Sequence, residues 1–357
     1  MRYFKGHIFI VCLVIIILLI GLNEIRQLNK SSIPVANLET STEHVDSQPE
    51  LKQKETPSKK EKLTGINSFI GLTSKEVIQK FGEPTRIDPS AYDYEWWVYK
   101  NDLSSYVQFG VENDKVVTIY VVGENINVFP FKIGESVEGI LEKHSITPSI
   151  EVKLTDSTYR FNLTPQDMLT KPVVKVDNNV YAQIYIDTIT ESVLSIRYMN
   201  QETLVKLKPY ELVYRGTLRT AQDVSAAKWR EIEKGSALQI FDVTNVLRSR
   251  YGLPPVLWDE KTAEVAYMHS KDMNEYNYFS HTSPTAGGLS DRLKKNDIFF
   301  KMAGENIAAK YVDGLAAVAG WVNSAGHRET MFNGEFSHLG VGVYERYFTQ
   351  NFIEEWS

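Results

Sequence analysis

Residues Ile8 to Leu22 read IFIVCLVIIILLIGL, an unbroken apolar run preceded by Arg2 and Lys5. With the flanking Tyr3, Phe4 and Gly6 to Ile8, the stretch would rise about 30 Å as a helix, near the thickness of a bilayer core. Apolar on every face, it has no place in a soluble core, and the early positive charges keep the N-terminus inside. The run ends in Gly21-Leu22-Asn23-Glu24-Ile25-Arg26 with no Ala-x-Ala site, so the expectation is an uncleaved single-pass anchor in the cell membrane. Residues 1–7 are then cytoplasmic, 8–22 form the anchor, and the folded part is extracytoplasmic. A cleaved secretory signal is the alternative, and it would release the same part outside.

The one cysteine of the chain, Cys12, falls inside this run. Everything after it lacks thiols, which excludes intrachain disulfides, all-cysteine zinc sites and iron–sulfur clusters. It sits mid-run behind Val11 rather than at the end behind a small residue, which argues against lipid attachment. Residues 23–64 carry no aromatic residue and no glycine, and seven acids balance seven bases. Such a segment cannot offset its chain entropy by burial and reads as a disordered linker. At 357 residues and net charge -6, the length suits two folded domains, and the charge speaks against nucleic acid as a partner. The acidity sits in 65–205, where 12 basic residues meet 19 acidic ones.

Residues 65–205 repeat one grammar. Ile70-Gly71-Leu72-Thr73 followed by Ser74 to Phe81, Gly82 and Pro84 reads as turn, cap, short amphipathic helix and glycine stop. Ile133-Gly134-Glu135-Ser136 followed by Val137 to His144 and Pro148 repeats it. Strand signals follow each copy: 94–99, 106–109 and 116–122 after the first, then 159–161, 173–176, 180–186 and 193–198 after the second. Asn113-Asp114-Lys115 and Asp177-Asn178-Asn179 read as hairpin turns. The expectation is a duplicated helix-plus-antiparallel-sheet domain whose aromatic residues pack its core. Nothing in it sets a nucleophile beside a base.

After a connector over 206–235, a C-terminal domain spans 236–357. Leu238, Phe241, Val243, Val246 and Leu247 recur at helical spacing up to Gly252. Asp259 caps a second helix with Ala263, Ala266, Tyr267, Ser270, Met273 and Asn274 on one face. His269 on that helix reads as a surface or packing residue. A loop from Asn277 to Pro284, unusually rich in aromatics, precedes a short helix near Ser290 to Leu293. Another helix, capped by Asp313, buries Leu315, Val318, Trp321 and Val322. The end alternates as strands. Gly340-Val341-Gly342 is a weak nucleotide-loop match with no third glycine and no helix behind it.

Residues 245–259 (NVLRSRYGLPPVLWD), 278–284 (YFSHTSP), 304–308 (GENIA), 321–328 (WVNSAGHR) and 339–343 (LGVGV) occur in order. Together they resemble the CAP superfamily of cysteine-rich secretory, antigen 5 and pathogenesis-related 1 proteins. The 65–205 region resembles the domain found ahead of CAP domains in spore-forming bacteria. The resemblance implies an α+β protein whose C-terminal part is an α-β-α sandwich, and an extracytoplasmic location. It also implies a cavity lined by two histidines and two acids, which fall on His281, Glu305 and His327, with Ser324 where the second acid is expected. Two imidazoles and one carboxylate suit a divalent ion such as zinc or calcium with an open position. Replacing the second acid by serine removes the obvious general base, and no residue is assigned as catalytic. Equally, the three side chains read as a structural network, with Asn306 and Arg328 capping and bridging backbones.

The leading expectation is a membrane-anchored binding protein. Its partners are the membrane, through the N-terminal helix, and a cell-wall component, lipid or protein at the pocket. A metal-dependent hydrolase of envelope peptides or glycans, and a structural wall or spore-coat protein, are the alternatives.

Overall fold

The structure, a computed structural model, describes residues 65–177 and 179–355. The expected anchor, the linker and Asn178 of the second hairpin turn lie outside the described residues. In chain order the first half holds α1 (Ser74–Phe81), β1 (Arg86–Pro89), β2 (Glu95–Tyr99), β3 (Val107–Glu112), β4 (Lys115–Val121), α2 (Val137–Lys143), β5 (Ser149–Leu154), β6 (Ser157–Asn162), α3 (Pro165–Thr170), β7 (Val173–Asp177), β8 (Val180–Asp187), β9 (Ser192–Asn200), α4 (Gln201–Leu207) and β10 (Glu211–Arg215). The second half holds α5 (Ala226–Arg250), β11 (Leu257–Trp258), α6 (Glu260–Glu275), α7 (Leu289–Lys295), β12 (Met302–Ala309), α8 (Gly314–Val322), α9 (Ala325–Met331), β13 (His338–Tyr344) and β14 (Tyr347–Glu354).

The first half is one seven-stranded sheet, order β1-β2-β3-β4-β9-β8-β7, with a small sheet β10-β6-β5 beside it. The two copies of the sequence pattern make the same hydrogen bonds. Gly71 N–H donates to Val116 O (2.8 Å) and Val116 N–H to Leu72 O (2.9 Å); Gly134 N–H donates to Val193 O (2.9 Å) and Val193 N–H to Glu135 O (2.8 Å). Both turns need positive φ, +88° at Gly71 and +78° at Gly134, which only glycine adopts without strain. Thr73 and Ser136 then cap α1 and α2. The first hairpin turn uses positive φ at Asn113 (48°) and Asp114 (61°), the angles a two-residue turn between twisted strands requires.

β4, whose pairing with β3 shifts register at Gly110/Val111, splits the core. Val116, Ile119 and Val121 pack with Val77 of α1 and Ile140 of α2, whereas Val117, Tyr120 and Val122 join a second cluster. That second cluster runs without a break into Ile240, Val243 and Leu247 of α5 and Leu315, Val318 and Trp321 of α8. Strand, helix and C-terminal domain thus share one apolar core, whose burial is the main force joining them. Ion pairs register the contact. Arg197, fully buried among Trp96, Tyr120 and Tyr185, reaches Asp313 at 2.6 Å, the residue that also caps α8. Asp242 of α5 takes Arg86 at 3.1 Å and Lys100 at 2.5 Å.

The stretch 206–235 is more ordered than a connector. It contains the end of α4, the strand β10 and the first turns of α5, which Ser225 caps by accepting from Lys228 N–H at 3.3 Å. Ile232, with few apolar neighbours in sequence, gives these turns little periodic signal, yet it is buried.

The second half is a four-stranded sheet, order β11-β13-β14-β12, between helix layers. Leu339, Val341 and Val343 of β13 face α5 and α8. Gly340 and Gly342 face α6, and a Cβ at either would lie 2.1 Å from Ala263 N or 1.8 Å from Tyr267 N. These glycines therefore serve backbone approach between α6 and β13, which Ser270 locks by donating to Gly342 O (3.0 Å). The two-glycine strand motif is packing, with no phosphate loop behind it.

Candidate functional site

β12 is the edge strand beside which the candidate residues gather. Its pairing with β14 sets Glu305 opposite Asn351 and Asn306 opposite Gln350, so the two neighbours project to opposite faces. Glu305 faces the side of α6 and α7, and its side chain is 4% exposed. A buried carboxylate needs compensation. Oε2 pairs with the Arg292 guanidinium of α7, and Oε1 accepts from His281 Nδ1 at 3.0 Å. Arg292, itself 5% exposed, also donates to His281 O (2.9 Å) and Gly287 O (3.0 Å). One arginine thus ties strand, short helix and histidine loop together.

The loop bearing His281 is shaped by Asp272 of α6. Asp272 accepts from the Tyr278 hydroxyl, from Ser283 Oγ (2.7 Å) and from Thr285 Oγ1 (3.2 Å). Burial would raise this carboxyl, but those hydrogen bonds outweigh it and hold the group below its ordinary value. The aromatics of the loop divide their work: Tyr278 anchors it, and Phe279 stands half exposed.

His327 comes from α9. Its Nδ1 lies 2.7 Å from the Oγ of Ser324, so the serine standing where an acid was expected takes the acid's place as imidazole partner. Asn306 Nδ2 donates to His327 O (3.0 Å) and holds that turn to β12. The rings of His281 and His327 are 6.4 Å apart. Burial, with His281 nearby, pushes His327 below its ordinary value, so its imidazole is neutral at physiological pH. His281, Glu305 and His327 are therefore neighbours, and Ser324 and Asn306 attend His327. Arg328 turns the other way. It donates to Asp187 Oδ2 (2.9 Å) and Val322 O (3.1 Å), and its second nitrogen meets the Tyr251 hydroxyl (2.9 Å). Asp187 lies at the end of β8, so the first half of the molecule grips α9 one residue past His327.

Two participants were not among the residues singled out from the sequence as site residues. Arg292 is one. His269 is the other: it is buried, its Nε2–H donates to Ser280 O (3.1 Å), and it lies 3.9 Å from Glu305 Oε1. It is a packing residue beneath the site, and burial pushes its imidazole below the ordinary value.

The donor set does not fit a three-ligand metal centre. Both oxygens of Glu305 are committed, one of them to a cation, and an added ion would face the Arg292 charge. Among the described residues no group of three His, Cys, Asp or Glu is placed to hold a metal. The two imidazoles alone remain as nitrogen donors.

Beside His327 opens a cavity of about 620 Å³. Tyr278, Phe279, Ile307 to Tyr311, Trp321, Ser324 and His327 are among its lining residues. Trp321 is fixed by donating Nε1–H to Ile307 O (2.9 Å). Aromatic walls with one hydroxyl–imidazole pair describe a ligand cavity more than a packed core.

Residues 70–210 match the family model of the CAP-associated N-terminal domain, and residues 241–353 match that of the cysteine-rich secretory protein family. The uncharacterized membrane protein YlbC of Bacillus subtilis is 48% identical over 314 residues, 87% of this chain and 90% of that protein. The crystal structure of an extracellular SCP-domain protein from Bacillus anthracis superposes with a TM-score of 0.78 at 44% identity, covering 86% of this chain and 100% of that one. A cysteine-rich secretory protein from Staphylococcus aureus does so with a TM-score of 0.72 at 28% identity, covering 82% and 95%. The aromatic cavity, the histidine pair and the sheet between helices thus sit in a chain that belongs to the cysteine-rich secretory protein (CAP) family, with a CAP-associated N-terminal domain ahead of its CAP domain.

Proposed function

We propose that this chain is a membrane-tethered, extracytoplasmic binding protein whose CAP domain holds a cell-envelope ligand in the cavity beside His327. The observation that carries this reading is the cavity itself: aromatic walls, a neutral imidazole, a serine hydroxyl and Lys310, with no acid among its lining residues. Such a surface stacks on and hydrogen-bonds to a sugar or peptide group. The names of two relatives, a membrane protein and an extracellular protein, support the placement. In this reading a metal is not needed: Glu305 and Arg292 neutralise each other and position His281.

The test is equilibrium binding of solubilised envelope fragments to the full-length protein in uncharged detergent. Saturable binding that Phe279→Ala and His327→Ala abolish, while the exposed Phe299→Ala variant retains it, is the expected result. Equal binding by all variants would remove the cavity from the account.

One observation favours a second reading. Ser324 Oγ and His327 Nδ1 at 2.7 Å resemble a nucleophile and its base. No acid orients the other ring nitrogen among the described residues. Cleavage of the fragments, lost in Ser324→Ala, would establish hydrolysis instead of binding.

A further inference from the structure

Four cations converge where the two halves of the molecule meet. A cavity of about 570 Å³ is lined by Lys171 and Lys208 from the first half and by Lys310 and Arg346 from the second, against a single carboxylate, Asp167. Lys171 is committed: its Nζ lies 3.2 Å from Asp167 and 3.2 Å from Pro209 O, over the Tyr210 ring. Lys208, Lys310 and Arg346 have no carboxylate partner among the described residues; Arg346 meets only the Tyr92 hydroxyl at 3.2 Å. Lys310 N–H donates to Arg346 O (2.9 Å), so the two residues are backbone neighbours on the cavity wall. Uncompensated positive charge gathered in one cavity runs against the net charge of -6, and like charges brought together repel unless something anionic lies between them.

Two further observations bear on the ligand. Lys208 and Lys310 both stand at positive φ, 48° and 66°. Glycine or asparagine would relieve the backbone strain there, but neither would supply the charge. In addition, Ala309, Lys310, Tyr311 and Gly320 line both this cavity and the one beside His327. A Cβ at Gly320 would lie 2.1 Å from the Tyr311 hydroxyl, so a bare backbone is what lets Tyr311 form the wall common to both. Basic cavity and aromatic cavity thus adjoin across these shared residues.

We infer that the basic cavity is a subsite for a multiply anionic ligand of the phosphate class, a chain bearing phosphate or phosphodiester groups. Its uncharged part continues past Lys310 and Tyr311 towards His327. Three unpaired cations suit a ligand with repeated charge, since a lone carboxylate would neutralise one of them, and lysine serves tetrahedral oxyanions as a mobile point charge. This names the ligand class for the cavity proposed above, and only its His327 end rests on that reading.

The probe is a fluorescently labelled glycerol phosphate oligomer of roughly six units, followed by anisotropy on the full-length protein in uncharged detergent at about 50 and about 300 mM salt. Tripolyphosphate serves as competitor, and a glutamate oligomer of equal length is the carboxylate arm. Saturable binding that weakens at least about tenfold with the added salt is expected, as is a loss of about tenfold or more in Lys310→Glu and in the Lys208→Ala/Arg346→Ala double variant. Tripolyphosphate should compete. Wild-type affinity in Lys310→Glu would overturn the subsite, and equal affinity for the glutamate oligomer would overturn the phosphate class. Phe279→Ala separates the two proposals. If it leaves oligomer binding intact while the cation variants lose it, the anionic subsite stands and the His327 reading falls.

Discussion

Replacing Arg292 by methionine probes how the site is held. In the native fold its guanidinium meets Glu305 Oε2 with both side chains no more than 5% exposed, and it also donates to His281 O and Gly287 O. Methionine fills much of the same volume but strands the Glu305 carboxylate in a buried setting with only His281 as donor. Breaking one side of such a pair costs about 3–5 kcal/mol, mostly the penalty of the uncompensated charge. The carbonyls add little, because Gly287 O still accepts from Ser283 N–H and His281 lies in a loop open to water. For a folded part of this size the loss corresponds to a fall in melting temperature of roughly 5–8 °C. Scanning calorimetry of the full-length protein at neutral pH measures it. Adding Glu305→Gln removes the stranded charge, so the double variant should recover about 1–2 kcal/mol relative to the sum of the single changes. A melting temperature within about 2 °C of wild type for Arg292→Met, or strict additivity in the double variant, would refute the claim that this ion pair organises the site.

Gly342→Ala should cost about 3 kcal/mol, since its Cβ would meet the α6 backbone at 1.8 Å; a stable, soluble variant by thermal melt would contradict the packing role. Burial holds His269 below its ordinary value of 6.5. The unfolded chain therefore takes up the proton first, and stability declines as pH falls below that value, by at most about 1.4 kcal/mol per pH unit. His269→Gln should flatten melting temperature against pH between neutrality and pH 5, and an unchanged slope would count against it. Asp187→Asn leaves Arg328 and the Tyr251 hydroxyl without their shared anion. It should speed amide exchange in α9 while leaving α6 unchanged, and uniform exchange would show that Asp187 does not hold the His327 turn.

Much of the scaffold was legible because its signals are local. Asp259 and Asp313 stand at helix starts and accept from Thr262 and Ala316 N–H, as side-chain caps must. The paired Gly71 and Gly134 turns announced a repeat, since positive φ leaves little choice of residue. What the sequence concealed depends on distant partners. Arg292 stands beside Lys294 and Lys295 in a short helix and resembles any solvated base, because nothing local marks a carboxylate thirteen residues on in an edge strand. His269 did carry a signal: it lies three residues after Ala266 and four before Met273, on the buried stripe of α6. Nothing local in the sequence marks Ser324 as a partner of His327; only geometry shows the two bonded. The joining of the two halves through Asp187, Arg197 and Asp242 has no sequence pattern either, since each pairs with a residue more than a hundred positions away.

The central claim is that Glu305 belongs to an ion pair and leaves the neighbouring cavity to bind ligand without a resident metal. Zinc titration of the full-length protein against a chromophoric chelator tests it most directly, with Glu305→Gln alongside. The expected result is no site tighter than about 10 μM in the wild type, and no change in Glu305→Gln, because two imidazoles alone make a weak site. A stoichiometric site tighter than about 1 μM that Glu305→Gln abolishes would contradict it, showing that the carboxylate leaves Arg292 to take a metal.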